Sequence, residues 1–253
     1  MKNIFNFILP LVFIVSCSME DSSEVSTESV EDRLSKVYYT EFMPCTAGPD
    51  YTSDNMTKMI SEWQKLLTNE NLQGVWGYAP AVATNSFPDN GWWEIQWGSK
   101  EEAQEAWSEW SQNKEAAAWN EKYASVLQCD ESLINGFESV FPIASAQYSE
   151  LPDSGYFYGE VHICELNDGS TQEEAISFLS GFTEAVANAD YSDTSYHLGN
   201  YFNVDESGGF LWANFTNSEE SMNKANISFE ASVRETMFPI FSTFASCGEV
   251  PDL

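Results

Sequence analysis

The chain has 253 residues, of which 40 are Asp or Glu and 10 are Lys or Arg, so its formal net charge at pH 7 is −30. This deficit of cations argues against nucleic-acid binding, which relies on Lys and Arg facing phosphates, and against adhesion to anionic lipid. It is typical of the acidic, well-solvated surface of an exported protein, and it leaves a cationic protein partner as an alternative.

The N-terminal segment predicts export. Lys2 precedes a mostly apolar stretch over residues 4–15. The stretch is shorter than the roughly 20 residues that a membrane-spanning helix needs, but it suits the apolar region of a signal peptide. It ends in the sequence IVSC, which resembles the lipobox of bacterial lipoproteins. The resemblance implies that residues 1–16 are a signal peptide and that Cys17 carries a lipid. An ordinary signal peptide with an incidental cysteine is the alternative.

Residues 17–36 predict a flexible acidic tether. They are rich in Ser and Glu and contain no aromatic residue, so they cannot bury enough apolar surface to offset the entropy of ordering. In the lipoprotein sorting pattern, Ser18 after the cysteine favours the outer membrane over retention in the inner membrane. We therefore expect a lipid-anchored protein of the bacterial cell envelope that faces the periplasm or the exterior.

The remainder of the chain contains an internal repeat, which constrains a fold more strongly than any local pattern. It divides the chain into repeat 1, residues 37–150, and repeat 2, residues 151–253. The offset is 119 near the start of each repeat and 118 further on, which predicts a one-residue slip between the strands. The matched residues are Tyr39, Glu41 and Cys45 with Tyr158, Glu160 and Cys164 at the first offset, and Tyr78, Trp97 and Cys129 with Tyr196, Phe215 and Cys247 at the second.

Repeat 1 predicts the element order β-α-β-β-α-β. Apolar and aromatic runs predict strands over residues 37–44, 74–82, 91–97 and 136–143. Apolar residues at helical spacing from Met56 to Leu67 predict the first helix, and Ser99 is a favourable N-cap for the second.

Repeat 2 predicts the same order of elements through its second helix. Strands are expected over residues 156–164, 194–204 and 209–215. The first helix follows a capping box at Thr171 and Glu174, and Asn217 is the predicted N-cap of the second helix. Because only six residues follow Cys247, we expect the fourth strand to be missing or very short.

The cysteines predict two disulfide bonds. Export places the four cysteines that remain after Cys17 in an oxidising compartment, and four cysteines allow three pairings. Only the pairing of Cys45 with Cys129 and Cys164 with Cys247 gives each repeat an equivalent internal bridge. No close Cys-x-x-Cys or Cys/His spacing accompanies them, which argues against zinc. We predict no metal and no cofactor.

Two β-α-β-β-α-β units in tandem resemble the dimeric α/β-barrel superfamily, which includes the antibiotic-biosynthesis monooxygenases and the NIPSNAP-like proteins. The resemblance covers residues 37–247 and rests on element order and duplication. It implies an α+β fold in which two tandem ferredoxin-like repeats form a pseudo-dimeric α/β barrel around a central cavity. One chain would supply both sheets, so we expect a monomer.

The predicted cavity takes its residues from the strand faces that are turned away from the helices, since side chains alternate along a strand. These faces combine aromatic rings with a few polar groups, as ligand pockets do. The residues predicted to lie under the helices are Trp93, Ile95 and Trp97, with Leu211, Ala213 and Phe215 as their counterparts. The predicted ligand-binding residues are Tyr39, Glu41, Trp92, Glu94, Gln96, Tyr158, Glu160, His162, Phe210, Trp212 and Asn214.

Glu160 and His162 are the candidate catalytic pair. They lie two residues apart on one predicted strand, so the carboxylate could orient the imidazole. Glu41 is the counterpart of Glu160, and a buried carboxylate has a raised pKa and can act as a general acid or base. Solvated carboxylates and a structural histidine are the alternatives.

Three functions remain open from the sequence. The first is a non-catalytic lipoprotein that binds a small, partly apolar ligand between the two sheets. The second is a cofactor-independent monooxygenase or isomerase-like enzyme of the dimeric α/β-barrel type, in which Glu160 or His162 takes a substrate proton while Tyr158 and Trp212 hold the ring. The third is an acidic interaction module of the cell envelope.

Overall fold

The computed structural model describes residues 14–15, 29–66, 72–79, 91–144, 157–205 and 208–248. Cys17 and the first part of the predicted tether therefore lie outside the described residues. The last part of that tether is helical rather than flexible: helix α1, Val30–Ser35, begins at the N-cap Ser29. Arg33 is buried, and its Nε donates a hydrogen bond to the carbonyl oxygen of Pro142 at 2.8 Å. This contact holds the segment against the folded part of the chain.

Each repeat begins with a strand, a helix and two further strands, followed by a second helical region. In repeat 1 the elements are β2 Tyr38–Ala47, α2 Ser53–Trp63, β3 Leu72–Tyr78, β4 Gly91–Trp97, α3 Lys100–Gln112, α4 Lys114–Tyr123, β5 Leu127–Cys129 and β6 Asn135–Ile143. In repeat 2 they are β7 Tyr158–Leu166, α5 Gln172–Ala187, β8 His197–Asn203, β9 Gly209–Thr216, α6 Glu219–Ser228, α7 Arg234–Phe244 and β10 Ala245–Cys247. A two-residue strand, β1 Ile14–Val15, pairs with β3.

The strands of the described residues form one antiparallel sheet in the order β1-β3-β4-β2-β6-β8-β9-β7-β10, with β5 paired to the end of β2. Each repeat thus has the ferredoxin-like order, in which the first strand lies beside the third. Strand β6 joins the repeats, because it pairs with β2 of its own repeat and with β8 of the other. This arrangement confirms the predicted fold class, two ferredoxin-like repeats in a pseudo-dimeric α/β barrel.

The two repeats end differently. Strand β10 pairs with β7 as β5 pairs with β2, and each pairing places two cysteines opposite each other. The predicted disulfide bonds Cys45–Cys129 and Cys164–Cys247 are confirmed, and each ties the first strand of a repeat to its short strand. No strand equivalent to β6 occurs in the part of repeat 2 that the structure describes.

The register corrects the predicted one-residue slip. Cys45 pairs with Gly91 and Cys164 pairs with Phe210, so residue 91 corresponds to residue 210 and the offset in these strands is 119. The helices agree, because Thr52 and Thr171 cap the first helices while Ser99 and Ser218 cap the second ones. Ser218, and not the predicted Asn217, is therefore the N-cap of α6.

Helices cover one face of the sheet in each repeat, and the uncovered faces of the two repeats meet. Under the helices of repeat 1 lie two apolar clusters that include Trp63, Trp97 and Met59. A larger cluster fills the same place in repeat 2. A fourth cluster joins both repeats where the faces meet, and its members include Phe42 and Phe137 from repeat 1 with Tyr201 and Phe215 from repeat 2.

Candidate functional site

Among the described residues, the space where the uncovered faces of the two repeats meet contains one buried carboxylate, Glu94 of β4. Its side chain is 1% exposed, and it accepts hydrogen bonds from the hydroxyl groups of Tyr78 and Tyr201. Burial raises the pKa of Glu94 to about 7, although the two hydroxyl groups act in the opposite direction. The pKa values of both tyrosines are well above 10, because they too are buried and lie beside Glu94.

The two tyrosines occupy equivalent positions in the repeats. Tyr78 pairs with Trp92 and Tyr201 pairs with Leu211, and residues 92 and 211 correspond at the offset of 119. The predicted match of Tyr78 with Tyr196 is therefore wrong. At the position equivalent to Glu94, repeat 2 has Ala213, so a single carboxylate lies between two related tyrosines.

Aromatic rings surround this carboxylate and pack against one another across the two repeats. Phe42 lies 5.2 Å from Tyr201 and Tyr78 lies 5.3 Å from Phe157, measured between ring centroids. His197 stacks on Phe141 at 5.5 Å, and burial lowers its pKa to about 4. A packed aromatic core therefore occupies the space in which the ligand cavity was predicted.

In repeat 1, the predicted site residues divide between the two faces of the sheet. Trp92, Glu94 and Gln96 share the predicted face, turned away from the helices. Tyr39 and Glu41 do not join them: Tyr39 pairs with Trp97 and Glu41 pairs with Ile95, and directly paired residues share a face. The structure therefore corrects the prediction for Tyr39 and Glu41, which lie under the helices.

In repeat 2, the predicted residues do share a face, but it is the helix-covered one. The β7–β9 register places His162 opposite Trp212 and Glu160 opposite Asn214. Glu160 accepts a hydrogen bond from Nδ2 of Asn226 in α6 at 3.2 Å, and burial lowers the pKa of His162 while Glu160 opposes this shift. Because a one-residue change of register turns every side chain to the other face, the assumed slip misplaced β9, whereas β7 was assigned to the wrong face as β2 was in repeat 1. The residues corrected are Tyr158, Glu160, His162, Phe210, Trp212 and Asn214, with Leu211, Ala213 and Phe215 facing the other sheet instead.

A cavity of about 670 Å³ lies on the helix-covered side of repeat 1, between the sheet and helices α2, α3 and α4. We call it the tryptophan pocket, because six indole side chains line it. Buried residues such as Met59 and Ile95 form its floor, and exposed ones such as Glu109 and Glu131 form its rim. The six indoles are those of Trp63, Trp93, Trp97, Trp107, Trp110 and Trp119.

Glu41 fixes two of the indoles. Its Oε2 accepts hydrogen bonds from Nε1 of Trp97 at 3.0 Å and from Nε1 of Trp107 at 2.7 Å. Burial raises the pKa of Glu41, while the two indole donors and Lys100 oppose this shift. Glu41 is 6% exposed, and a buried carboxylate with two donors holds its partners in place more firmly than apolar contact alone. It is therefore a positioning residue for the pocket wall.

One of the lining indoles also has a donor without a partner. Nε1 of Trp93 is buried and makes no hydrogen bond to any described residue. A buried donor that stays unpaired costs about 1 to 3 kcal/mol, and it requires an explanation in a native structure. Nε1 of Trp119, in contrast, donates to the carbonyl oxygen of Met59 at 3.0 Å. A ligand acceptor would satisfy Trp93 as Met59 satisfies Trp119.

The chain is similar in fold to two candidate monooxygenases of known structure. One, from Lactobacillus acidophilus NCFM, matches with a TM-score of 0.51 and 7% identity over 83% of this chain and 90% of that chain. The other, from Fusobacterium nucleatum subsp. nucleatum, matches with a TM-score of 0.51 and 8% identity over 84% of this chain and 89% of that chain. At such identities the likeness shows the fold alone. No protein-family model matches the chain, and no curated protein matches it in sequence.

Two features are absent from the described residues. These residues contain no group of three or more His, Cys, Asp or Glu side chains placed to hold a metal ion. None of their helices is both long enough and apolar enough to cross a membrane. The pocket itself was not predicted from the sequence, although the concentration of tryptophan in repeat 1 was a signal that could have indicated it.

Proposed function

We propose that this protein binds a small, largely apolar ligand in the tryptophan pocket of repeat 1. Ligand sites are concave, mostly apolar and some 300 to 1,000 Å³ in volume, with a few polar groups that orient the ligand. The observation that carries the proposal is the combination of a cavity of about 670 Å³ with an unpaired indole donor buried in its wall.

We further propose that the protein performs this role on a membrane, attached by a lipid on Cys17. The sequence before Cys17 supports this setting, as does the short tether that follows. The two disulfide bonds support export, because such bonds persist mainly in oxidising compartments. The folded part would then present the pocket at the bacterial envelope as a monomer.

The test measures binding of prodan, a neutral naphthalene that carries a carbonyl acceptor and changes its fluorescence in apolar surroundings. Trp93→Phe removes the unpaired donor but keeps an aromatic ring. We expect it to raise the dissociation constant roughly 2- to 12-fold, since a net hydrogen bond contributes about 0.5 to 1.5 kcal/mol.

Trp212→Phe is the matched control, because Trp212 is the equivalent residue of repeat 2 and its Nε1 already donates to Oδ1 of Asn214 at 3.0 Å. We expect it to leave prodan binding unchanged. If prodan does not bind, or if both variants lose affinity equally, the tryptophan pocket is not the site.

The second candidate function is that of a cofactor-independent oxygenase. The names of the two fold neighbours favour it, and Glu41 lies against two indoles of the pocket wall with a raised pKa. In this reaction, a base takes a proton from an electron-rich hydroxyarene, and the resulting anion reacts with O₂. One oxygen atom enters the product and the other leaves as water.

An oxygen electrode tests this candidate with a dihydroxynaphthalene as the reductant and substrate. Oxygen uptake that is lost in Glu41→Gln but kept in His162→Ala would place the reaction at the tryptophan pocket. The reverse pattern would support the base predicted from the sequence, His162 with Glu160. Uptake no faster than the uncatalysed rate would exclude this chemistry for that substrate.

A further inference from the structure

The charged residues that line the tryptophan pocket are all acidic. Glu109, Asp130 and Glu131 belong to the lining, and all three are exposed, so they lie at the rim. Among the described lining residues there is no Lys, Arg or His. An anionic ligand would therefore meet carboxylates at the entrance and would find no cation inside to pair with.

The interior offers ring faces instead of charges. Trp63 and Trp93 meet edge to face at 5.1 Å, and Trp110 and Trp119 do so at 6.0 Å. The indole face is the most attractive aromatic surface for a cation, which binds within about 6 Å of the ring centroid. Rings set at steep angles to one another can enclose one cation from several sides.

The same chemistry already operates beside the pocket. Nζ of Lys122 lies 5.0 Å from the ring centroid of Tyr123, which is itself a lining residue, and Glu62 pairs with that lysine at 2.6 Å. A cation between an aromatic ring and a carboxylate is thus a stable arrangement at this end of repeat 1.

We propose that the ligand of the tryptophan pocket is an organic cation, a quaternary ammonium or protonated amine on an apolar body, which also carries a hydrogen-bond acceptor. The indole faces bind the cationic group, the rim carboxylates favour its approach, and the acceptor pairs with Nε1 of Trp93. The proposal rests on the proposed function, because it names the ligand class for the same site.

The test compares two ligands of the same shape by isothermal titration calorimetry. Benzoylcholine has a trimethylammonium group and an ester acceptor, and dimethylbutyl benzoate has a carbon atom in place of the charged nitrogen. We expect the cation to bind roughly 2- to 30-fold more tightly, which corresponds to the range of cation–π energies. The titrations are run in about 0.5 M NaCl, because the net charge of −30 attracts any cation at low salt and screening suppresses that effect.

Two sets of variants locate the preference. Trp110→Leu removes one ring face and should reduce the ratio of the two dissociation constants. Glu105→Gln is the control for charge, because it lies one turn before Glu109 on α3 and does not line the pocket. It should leave the ratio unchanged, whereas Glu109→Gln should reduce it by weakening the binding of benzoylcholine.

The outcomes separate this proposal from the proposed function. Equal binding of the two ligands, both weakened by Trp93→Phe, would keep the pocket as the site and overturn the cationic ligand class. A preference that is not reduced in Trp110→Leu would also overturn it, because the charge would then be recognised elsewhere. If neither ligand nor prodan binds, both proposals fail.

Discussion

The two repeats share a backbone arrangement but differ in how the space under their helices is filled. Strand order, disulfide bond and helix caps correspond at matched positions in both. On the helix-covered side, repeat 1 keeps the tryptophan pocket, whereas in repeat 2 aromatic rings pack against Trp212 in the same place. Phe178, Phe182 and Phe241 pack against Trp212, and Phe244 packs against Phe178 and Phe241. Repeat 2 therefore has a packed core where repeat 1 has a cavity.

The second helical region shows where the copies diverge. In repeat 1 it is interrupted at Asn113, which is extended, ends α3 and caps α4. In repeat 2 a π-helical segment, Phe229–Val233, carries α6 into α7 without a break. Asn113 itself lines the pocket. The interruption and the cavity therefore occur together, and the continuous helix accompanies the filled core.

The largest effect should come from one aromatic pair present in both repeats. Phe182 lies on Trp212 at 4.9 Å and Trp63 lies on Trp93 at 5.1 Å, and these pairs correspond at the offset of 119. We expect Phe182→Ala to reduce the free energy of unfolding by roughly 3 to 5 kcal/mol. Trp63→Ala should cost about 1 kcal/mol less, because the side of its ring that faces the pocket lacks contacts to lose.

Urea unfolding of the two variants and the wild type measures this difference. An equal or greater loss in Trp63→Ala would mean that the pocket is as well packed as its counterpart in repeat 2. The contrast between an open and a filled repeat would then be lost.

The next effect concerns Glu94, whose equivalent residue in repeat 2 is Ala213. The folded-state pKa of about 7 lies above the ordinary value of 4.5 for a glutamate side chain, so the folded state binds the proton more tightly than the unfolded state. Stability from this group is therefore fully present below about pH 4.5 and is lost as the pH rises to about 7. The shift corresponds to roughly 3 kcal/mol at 1.36 kcal/mol per pKa unit.

Glu94→Gln removes this titration while keeping an amide of similar shape. The stability of the wild type relative to this variant should therefore fall by roughly 3 kcal/mol between about pH 4 and about pH 8. A pH-independent difference for Glu94→Gln would show that the carboxylate keeps one charge state throughout.

The sequence contained enough to predict the fold. The duplicated first strand, the capping threonine and the paired cysteines are local signals that survive in both copies, and they led to the correct element order and disulfide bonds. The offset near the third strand was less secure, because aromatic residues occupy neighbouring positions there: Trp97 matches Phe215 at 118, whereas Trp93 matches Trp212 at 119. Since a slip of one residue exchanges the faces of a strand, this error reversed the assignment of β9, whereas the first strands β2 and β7 were assigned to the wrong face in both repeats.

The tryptophan pocket depends on tertiary packing, which local sequence patterns do not reveal. Its volume follows from how far α3 and α4 stand from the sheet, and its unpaired donor follows from the absence of an acceptor near Trp93. The acidic rim consists of Glu109 on α3 with Asp130 and Glu131 after β5, which are distant in the sequence and come together only in the folded chain. Periodicity identified Trp93 and Trp97 as residues under the helices, but it could not show that the space above them was open.

The smallest effect tests where the repeats remain alike. Ser99 Oγ accepts a hydrogen bond from the backbone N–H of Glu102 at 3.2 Å, and Ser218 Oγ accepts one from that of Ser221 at 3.2 Å. Each cap satisfies one free N–H at a helix start, so Ser99→Ala and Ser218→Ala should each cost about 1 kcal/mol of unfolding free energy. Ser111→Ala, an exposed serine within α3, should stay within about 0.5 kcal/mol of the wild type. Matched losses in thermal unfolding would support the offset of 119 at these helices, whereas a loss confined to one cap would show that the copies have diverged even where their backbones correspond.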